Sequence, residues 1–128
     1  MPHKPVTFDD VREIGLKLPD VEASTAYGAS ALKVRKSLLA CTAINKSAEP
    51  SSVMVRIGSA DRDRLLKEQP DVYYVTDHYA PYPCVIVRLP KIRREALKEL
   101  LGTAWRFVVE RTPERKKKKK KKKKVAKR

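Results

Sequence analysis

Near the start of the chain apolar residues recur at three- and four-residue spacing, and soon afterwards at every second residue; these changes of period divide the chain into elements. In VTFDDVREIGLKLPDV, Phe8, Val11, Ile14 and Leu18 fall on one side of a helix. Thr7 is placed to cap it with Asp10 three residues on, and Asp9 and Asp10 favour the positive end of the helix dipole. Pro19 ends it, because the residue before a proline is pushed out of the helical region. EASTAYGAS, with its Tyr27-Gly28 pair, reads as a bend.

Three short strands are expected next. In ALKVR, residues 31–35, Leu32 and Val34 alternate with Lys33 and Arg35. LLACTAI, residues 38–44, is nearly all apolar, as a central strand is. In VMVRI, residues 53–57, Val53, Val55 and Ile57 alternate with Met54 and Arg56. Lys36-Ser37 leaves room for a tight turn, and NKSAEPSS for a longer hairpin loop. SADRDRLLKEQ predicts a short helix capped by Ser59, with Pro70 just beyond its end. VYYV and CVIVRL supply a fourth and a fifth strand, joined as a hairpin through TDHYAPYP. RREALKELLGTAWRFVVER is a long helix with Leu97, Leu101, Ala104 and Val108 along one side. The resulting order α-β-β-β-α-β-β-α, with strands joined by short turns, predicts an α+β two-layer sandwich: an antiparallel sheet of about five strands with helices on one face.

Charge changes this picture at one end. The 128 residues carry a net charge of +15, but from Arg115 onward RKKKKKKKKKVAKR holds twelve basic residues and no acid, whereas the rest holds eighteen basic residues and all fifteen acids. Residues 1–112 are therefore expected to form the α+β domain and residues 113–128 a disordered polylysine tail, since dense like charge without apolar residues cannot offset chain entropy. No run approaches the roughly 20 apolar residues of a membrane span, and MPHKPVTFDD lacks the basic-then-apolar order of a signal peptide. A cytoplasmic protein without stable membrane insertion is expected; the sequence leaves its oligomeric state open.

The densest chemistry lies in TDHYAPYP, residues 76–83. Asp77 beside His78 suggests a base and its orienter, but neighbours in an extended chain point to opposite faces. No nucleophile motif surrounds Cys41, Cys84 or Ser30, and two histidines in the whole chain are too few for a protein-supplied zinc-type site. No catalytic residue, metal or cofactor is expected, and both cysteines read as buried apolar side chains. As structure, Asp77 starts a turn, Pro81 and Pro83 stiffen it, and the tyrosines lie over the sheet edge with their hydroxyls in water. Trp105 and Phe107 read as core or subunit contacts.

Two functional readings stay open. In the first the partner is nucleic acid, and DNA before RNA: Lys33, Arg35, Arg56 and Arg88, together with the turn residue Lys36, grip phosphates from the uncovered sheet face, and Tyr79 or Tyr82 stacks on a base. Tail lysines such as Lys116, Lys120 and Lys124 add salt-sensitive, sequence-independent attraction. In the second, the body is an adaptor for a small molecule or a protein, with a pocket around Tyr27, His78, Tyr79 and Tyr82.

VTFDDVREIGLKLPDV, YGASALKV, VTDHYAPYPCVIVRL and the tryptophan of ALKELLGTAWRFV together resemble the MmcQ/YjbR family, small bacterial proteins usually labelled DNA-binding. The resemblance runs from about residue 6 to residue 110. It implies a frataxin-like (CyaY-like) fold, helices packed on one face of an antiparallel sheet, and a double-wing arrangement for DNA. Where the family often carries glycine in the first hairpin turn, this chain has RKS. A frataxin-like fold also raises iron binding by acids of the first helix. Here Asp9, Asp10 and Glu13 are interleaved with Arg12 and Lys17, and capping explains them better.

Overall fold

The computed structural model describes residues 6–26 and 28–112. In chain order the elements are α1 (Phe8–Gly15), β1 (Val21–Ala26), β2 (Ala29–Val34), β3 (Ser37–Thr42), β4 (Ser52–Arg56), α2 (Ser59–Glu68), β5 (Tyr73–Tyr74), β6 (Cys84–Arg88) and α3 (Arg94–Arg111), with one 3₁₀ turn at Leu89–Lys91. The strands form one antiparallel sheet in the order β1-β2-β3-β4-β6-β5. The fold is the expected α+β sandwich, with one strand more than the sequence suggested.

The added strand is β1, in the segment read as a bend. It pairs along its whole length with β2, from Val21 opposite Val34 to Ala26 opposite Ala29. As an edge strand of small and polar residues, VEASTA has no large apolar alternation to announce it.

Alternation along β2, β4 and β6 sends Leu32, Val34, Val53, Val55, Val85 and Val87 toward the helices, where they meet Leu97, Leu101, Ala104 and Val108 of α3. Each is essentially removed from water, at about 1.5–3 kcal/mol for a Val- or Leu-sized side chain. Helix α1 closes the layer with Val11 and Ile14. It approaches the sheet at Gly15, where an added Cβ would lie 2.4 Å from Leu32 Cδ1.

Local details depart from expectation for identifiable reasons. Thr7 N–H donates to Asp10 Oδ2 at 2.9 Å, as the capping spacing predicted, but α1 stops at Gly15, four residues before Pro19. Gly58, not Ser59, is the cap of α2, and Ser59 is its first helical residue. In β3 the register slips: Lys33 faces Leu38 but Leu32 faces Ala40, so Leu39 is the extra residue of a bulge and is buried.

Arg35 does not continue β2. With Lys36 it forms the two-residue turn into β3, at φ 52° and 70°. Hairpins of this length need left-handed backbone, which costs a residue with a Cβ about 1–2 kcal/mol. Ties from Arg35 to Asp20 Oδ2 (3.2 Å) and to the Thr112 carbonyl (3.1 Å) help to hold the turn.

Candidate functional site

The sheet face away from the helices is built from the residues one step out of phase with the core. Ala31, Cys41, Met54 and Cys84 form a second, small apolar cluster there, joined by Leu38 and Tyr79. Three of the four buried members are small, an alanine and two cysteines, and among the described residues no helix side chain joins the cluster. Instead the loop between β5 and β6, residues 75–83, folds back as a strap.

The strap is pinned at three places. Within it, the N–H groups of Tyr79 and Ala80 both donate to the Thr76 carbonyl, at 3.0 and 2.8 Å. On one flank, Arg62 of α2 directs Nη1 at the carbonyls of Ala80 (3.2 Å), Tyr82 (3.0 Å) and Cys84 (3.4 Å). On the other, the β3–β4 loop supplies Asn45 N–H to the Tyr79 hydroxyl at 3.3 Å, and the hydroxyls of Ser47 and Thr76 lie 2.9 Å apart. His78 meets Tyr79 edge to face, with ring centroids 4.8 Å apart.

Between strap, hairpin loop and sheet lies a cavity of about 880 Å³. Its apolar wall includes Leu38, Cys41, Met54 and Cys84; Ile44, His78, Tyr79 and Tyr82 surround it, and Lys46 and Arg56 bring charge. Among the described residues no acidic side chain lines it. Ile44 and Tyr82 remain 52% and 59% exposed, so large apolar surface is presented to solvent at the rim. Its size falls within the range of about 300–1,000 Å³ typical of small-molecule sites.

Burial pushes the Cys41 thiol up to about 11, with the nearby Cys84 thiol adding to the effect. Cys84 is also raised by burial, against the pull of Arg62 and Arg56. Thiols held protonated in this way are poor nucleophiles at neutral pH. Burial likewise raises Tyr79, partly offset by the hydrogen bond from Asn45.

Of the basic residues expected to share the open face, Lys33, Arg56 and Arg88 keep the phase of Ala31, Met54 and Cys84, whereas Arg35 leaves it. Arg35 and Lys36 sit in the β2–β3 turn. Arg56 faces Cys84 and Arg88 faces Ser52, so they stand at opposite ends of the β4–β6 pair, about 14 Å apart along the strands. Arg88 is engaged within the fold: it binds both carboxylate oxygens of Glu49 (2.9 and 2.8 Å), donates to the carbonyls of Pro70 (3.0 Å) and Asp71 (3.2 Å), and lies 4.3 Å over the Tyr74 ring. The Arg88 hydrogen bonds hold the Glu49 carboxyl below its ordinary range. Arg56 donates to the Leu38 carbonyl at 3.2 Å and stands 5.9 Å from the Phe107 ring. Lys33 is half-buried on β2. A continuous basic face is therefore not formed by these positions, because a turn and internal ion pairs take most of them.

The structure gathers His78, Tyr79, Tyr82 and Arg56 around one cavity. Tyr79 is not an exposed tip, since it packs on the open-face cluster and its hydroxyl accepts a backbone N–H. Tyr27, Lys116, Lys120, Lys124 and the expected tail lie outside the described residues. Sequence reasoning missed Arg62, the residue that clamps the strap, because one arginine in a charged helix carries no distinguishing pattern. Met54 was legible as facing away from the helices, but not as part of a cavity wall. Trp105 donates to the Pro19 carbonyl at 2.8 Å, fastening α3 to the segment after α1. The acids of α1 pair with arginines: Asp9 with Arg12, and Asp10 and Glu13 with Arg94. Among the described residues no group of three or more His, Cys, Asp or Glu side chains could hold a metal ion, and no helix is long and apolar enough to cross a membrane.

Fold and site together define an α+β two-layer sandwich with a strapped cavity on the uncovered face of its sheet. The fold is similar to the crystal structure of the Deinococcus radiodurans protein DR2400, which carries a DUF419 domain: the TM-score is 0.67 at 21% identity, covering 85% of this chain and 83% of that one. The uncharacterized protein Rv2570 of Mycobacterium tuberculosis is 37% identical over 62 residues, or 46% of this chain and 48% of the relative. Mb2600 of Mycobacterium bovis, also uncharacterized, matches to the same extent. The chain spans about half the length of the curated relatives it matches. No family model matches the chain.

Proposed function

We propose that the folded body is a non-enzymatic small-molecule-binding module of the MmcQ/YjbR type, acting in the cytoplasm. The observation that carries the binding role is the cavity of about 880 Å³ held open between the sheet and a strap that Arg62 and Asn45 pin in place. Anchoring from both flanks preforms the site, so little ordering entropy is lost on binding. The family assignment is supported by the motifs VTDHYAPYPCVIVRL and YGASALKV and by the DUF419 neighbour, DUF419 being the YjbR/MmcQ-like family. Two free, buried thiols fit a reducing compartment.

The test is a thermal-shift screen of the full chain against metabolites and nucleotides. A ligand that raises the melting temperature of the wild type, and raises that of Tyr79→Ala much less, supports the reading. A screen in which every stabilising ligand acts equally on both proteins removes it.

A second reading applies to the tail, and its observation is sequence charge: twelve basic side chains in the last fourteen residues. These make the tail a sequence-independent polyanion binder, with a log-log salt slope of about −0.9 per phosphate neutralised on duplex DNA. Titration of duplex DNA with the full chain and with a chain ending at Glu114 is expected to lose most binding with the tail. Equal affinity of the two proteins would return nucleic-acid binding to the folded body.

A further inference from the structure

The inference rests on the cavity reading above and concerns what the cavity selects. Both formally charged residues of its lining are basic, and they stand at different ends: Lys46 lies in the β3–β4 loop, whereas Arg56 closes β4 at the far end of the same hairpin. Positive charge is concentrated at the Arg56 end: Arg56 stands opposite Cys84 in the β4–β6 ladder, and Arg62 directs Nη1 at the Cys84 carbonyl at 3.4 Å. Arg62 is turned toward two strap carbonyls, of Ala80 and Tyr82, and that of Cys84 at the start of β6. Arg56 gives Nη1 to the Leu38 carbonyl and stands 5.9 Å from the Phe107 ring, and a guanidinium has five N–H donors. From this end an apolar floor of Leu38, Cys41 and Met54 extends beneath Tyr79.

We propose that the cavity takes an elongated amphipathic organic anion, with its carboxylate, sulfonate or phosphate against Arg56 beside Cys84 and its apolar body along Cys41 and Met54 under Tyr79. A neutral molecule of the same shape would cover the half-buried guanidinium without supplying a counter-charge, and a cation would meet it with like charge. An anion of compact, fully polar character would leave the apolar floor unfilled. Both requirements, one charge and an extended apolar body, come from side chains lining a single space.

The test is fluorescence titration of the full chain with two probes of similar shape, anilinonaphthalene sulfonate and the uncharged phenyl-naphthylamine. Salt at about 0.3 M shortens the reach of the tail's charge to less than about 8 Å. The sulfonate is expected to bind about tenfold more tightly than the neutral probe. Arg56→Gln should weaken the sulfonate by about tenfold and leave the neutral probe within about twofold, and Arg56→Lys should restore much of the loss. Because Arg56 also holds the Leu38 carbonyl, the exposed rim residue Tyr82 gives a second reading at the same end of the cavity, where the next residue, Pro83, accepts the Ile57 N–H at 3.1 Å; Tyr82→Glu should weaken the sulfonate well beyond Tyr82→Gln, while the neutral probe does not distinguish the two variants. Equal affinities for the two probes, insensitive to Arg56→Gln and no different between Tyr82→Glu and Tyr82→Gln, would overturn the anion preference while leaving the cavity reading in place. If neither probe binds saturably, both the preference and the cavity reading fall.

Discussion

On the sheet face toward the helices, Leu32, Val34, Val55 and Val87 meet Leu97, Leu101, Ala104 and Val108. One step along the same strands, on the other face, stand Ala31, Cys41, Met54 and Cys84, and what meets them is the loop 75–83. A helix presents a continuous stripe of side chains and fills the space above a sheet. A loop tied down by a few hydrogen bonds covers it unevenly and leaves a cavity. The pleat divides the side chains between two faces, and what covers each face separates the one that stores stability from the one that has room for a ligand.

Truncations should report this difference. Leu97→Ala, on the filled face, is expected to cost about 3 kcal/mol or more, because nothing can relax into the gap, as read from a urea unfolding midpoint. Met54→Ala should cost about 2 kcal/mol or less, since a cavity already adjoins that side chain. Equal losses would mean that the open face is packed as tightly as the other.

Gly15→Ala tests the filled face from the opposite direction. The new Cβ would press on Leu32 Cδ1, and overpacking of about 1–3 kcal/mol should outweigh the gain in helix propensity of about 1 kcal/mol. A more stable variant would show that α1 can lift away from the sheet.

On the open face, Arg62→Met should free the strap at a cost of about 1 kcal/mol or less in global stability, since its hydrogen bonds are largely solvent-accessible. Hydrogen exchange should accelerate at the amides of Tyr79, Ala80 and Tyr82 and stay unchanged in α3. Smaller still is Lys36→Gly, expected to stabilise by about 0.5–1 kcal/mol by relieving a left-handed backbone of φ 70°. A loss of stability there would assign the Lys36 side chain a role in the turn.

Titration of Cys41 adds a pH arm. Its thiol keeps a proton up to about 11 in the folded state, against an ordinary value of 9.0, so the folded chain binds more protons across that interval. Stability contributed by the buried neutral thiol is intact below about pH 9 and is lost as pH rises toward about 11. The urea midpoint should fall less over that interval in Cys41→Ala than in the wild type.

Much of the fold was legible because the pattern that forms it is strong. The stripe Leu97, Leu101, Ala104, Val108 and the alternation Val53, Val55, Ile57 each require one buried side, and the structure buries them. Strand β1 was not legible, since an edge strand of small residues is fixed by its hydrogen-bonded partner and not by its own pattern. Arg35 was misplaced because alternation was extended one residue past the strand, into a turn whose backbone no glycine marked. For the candidate site, the sequence singled out the segment TDHYAPYP, and the structure places its His78, Tyr79 and Tyr82 around the cavity. That the segment folds down over Cys41 and Met54 depends on Arg62 and on the β3–β4 loop, both remote in sequence, and no local pattern encodes such a contact.

The central claim, that a small ligand occupies the space between the strap and the open sheet face, is tested most directly by amide chemical-shift mapping. The isotopically labelled full chain would be titrated with anilinonaphthalene sulfonate. The largest shifts are expected in residues 38–46, 54–56 and 78–84, with α3 unmoved. Shifts confined to the helical face or to the lysine run would contradict the account.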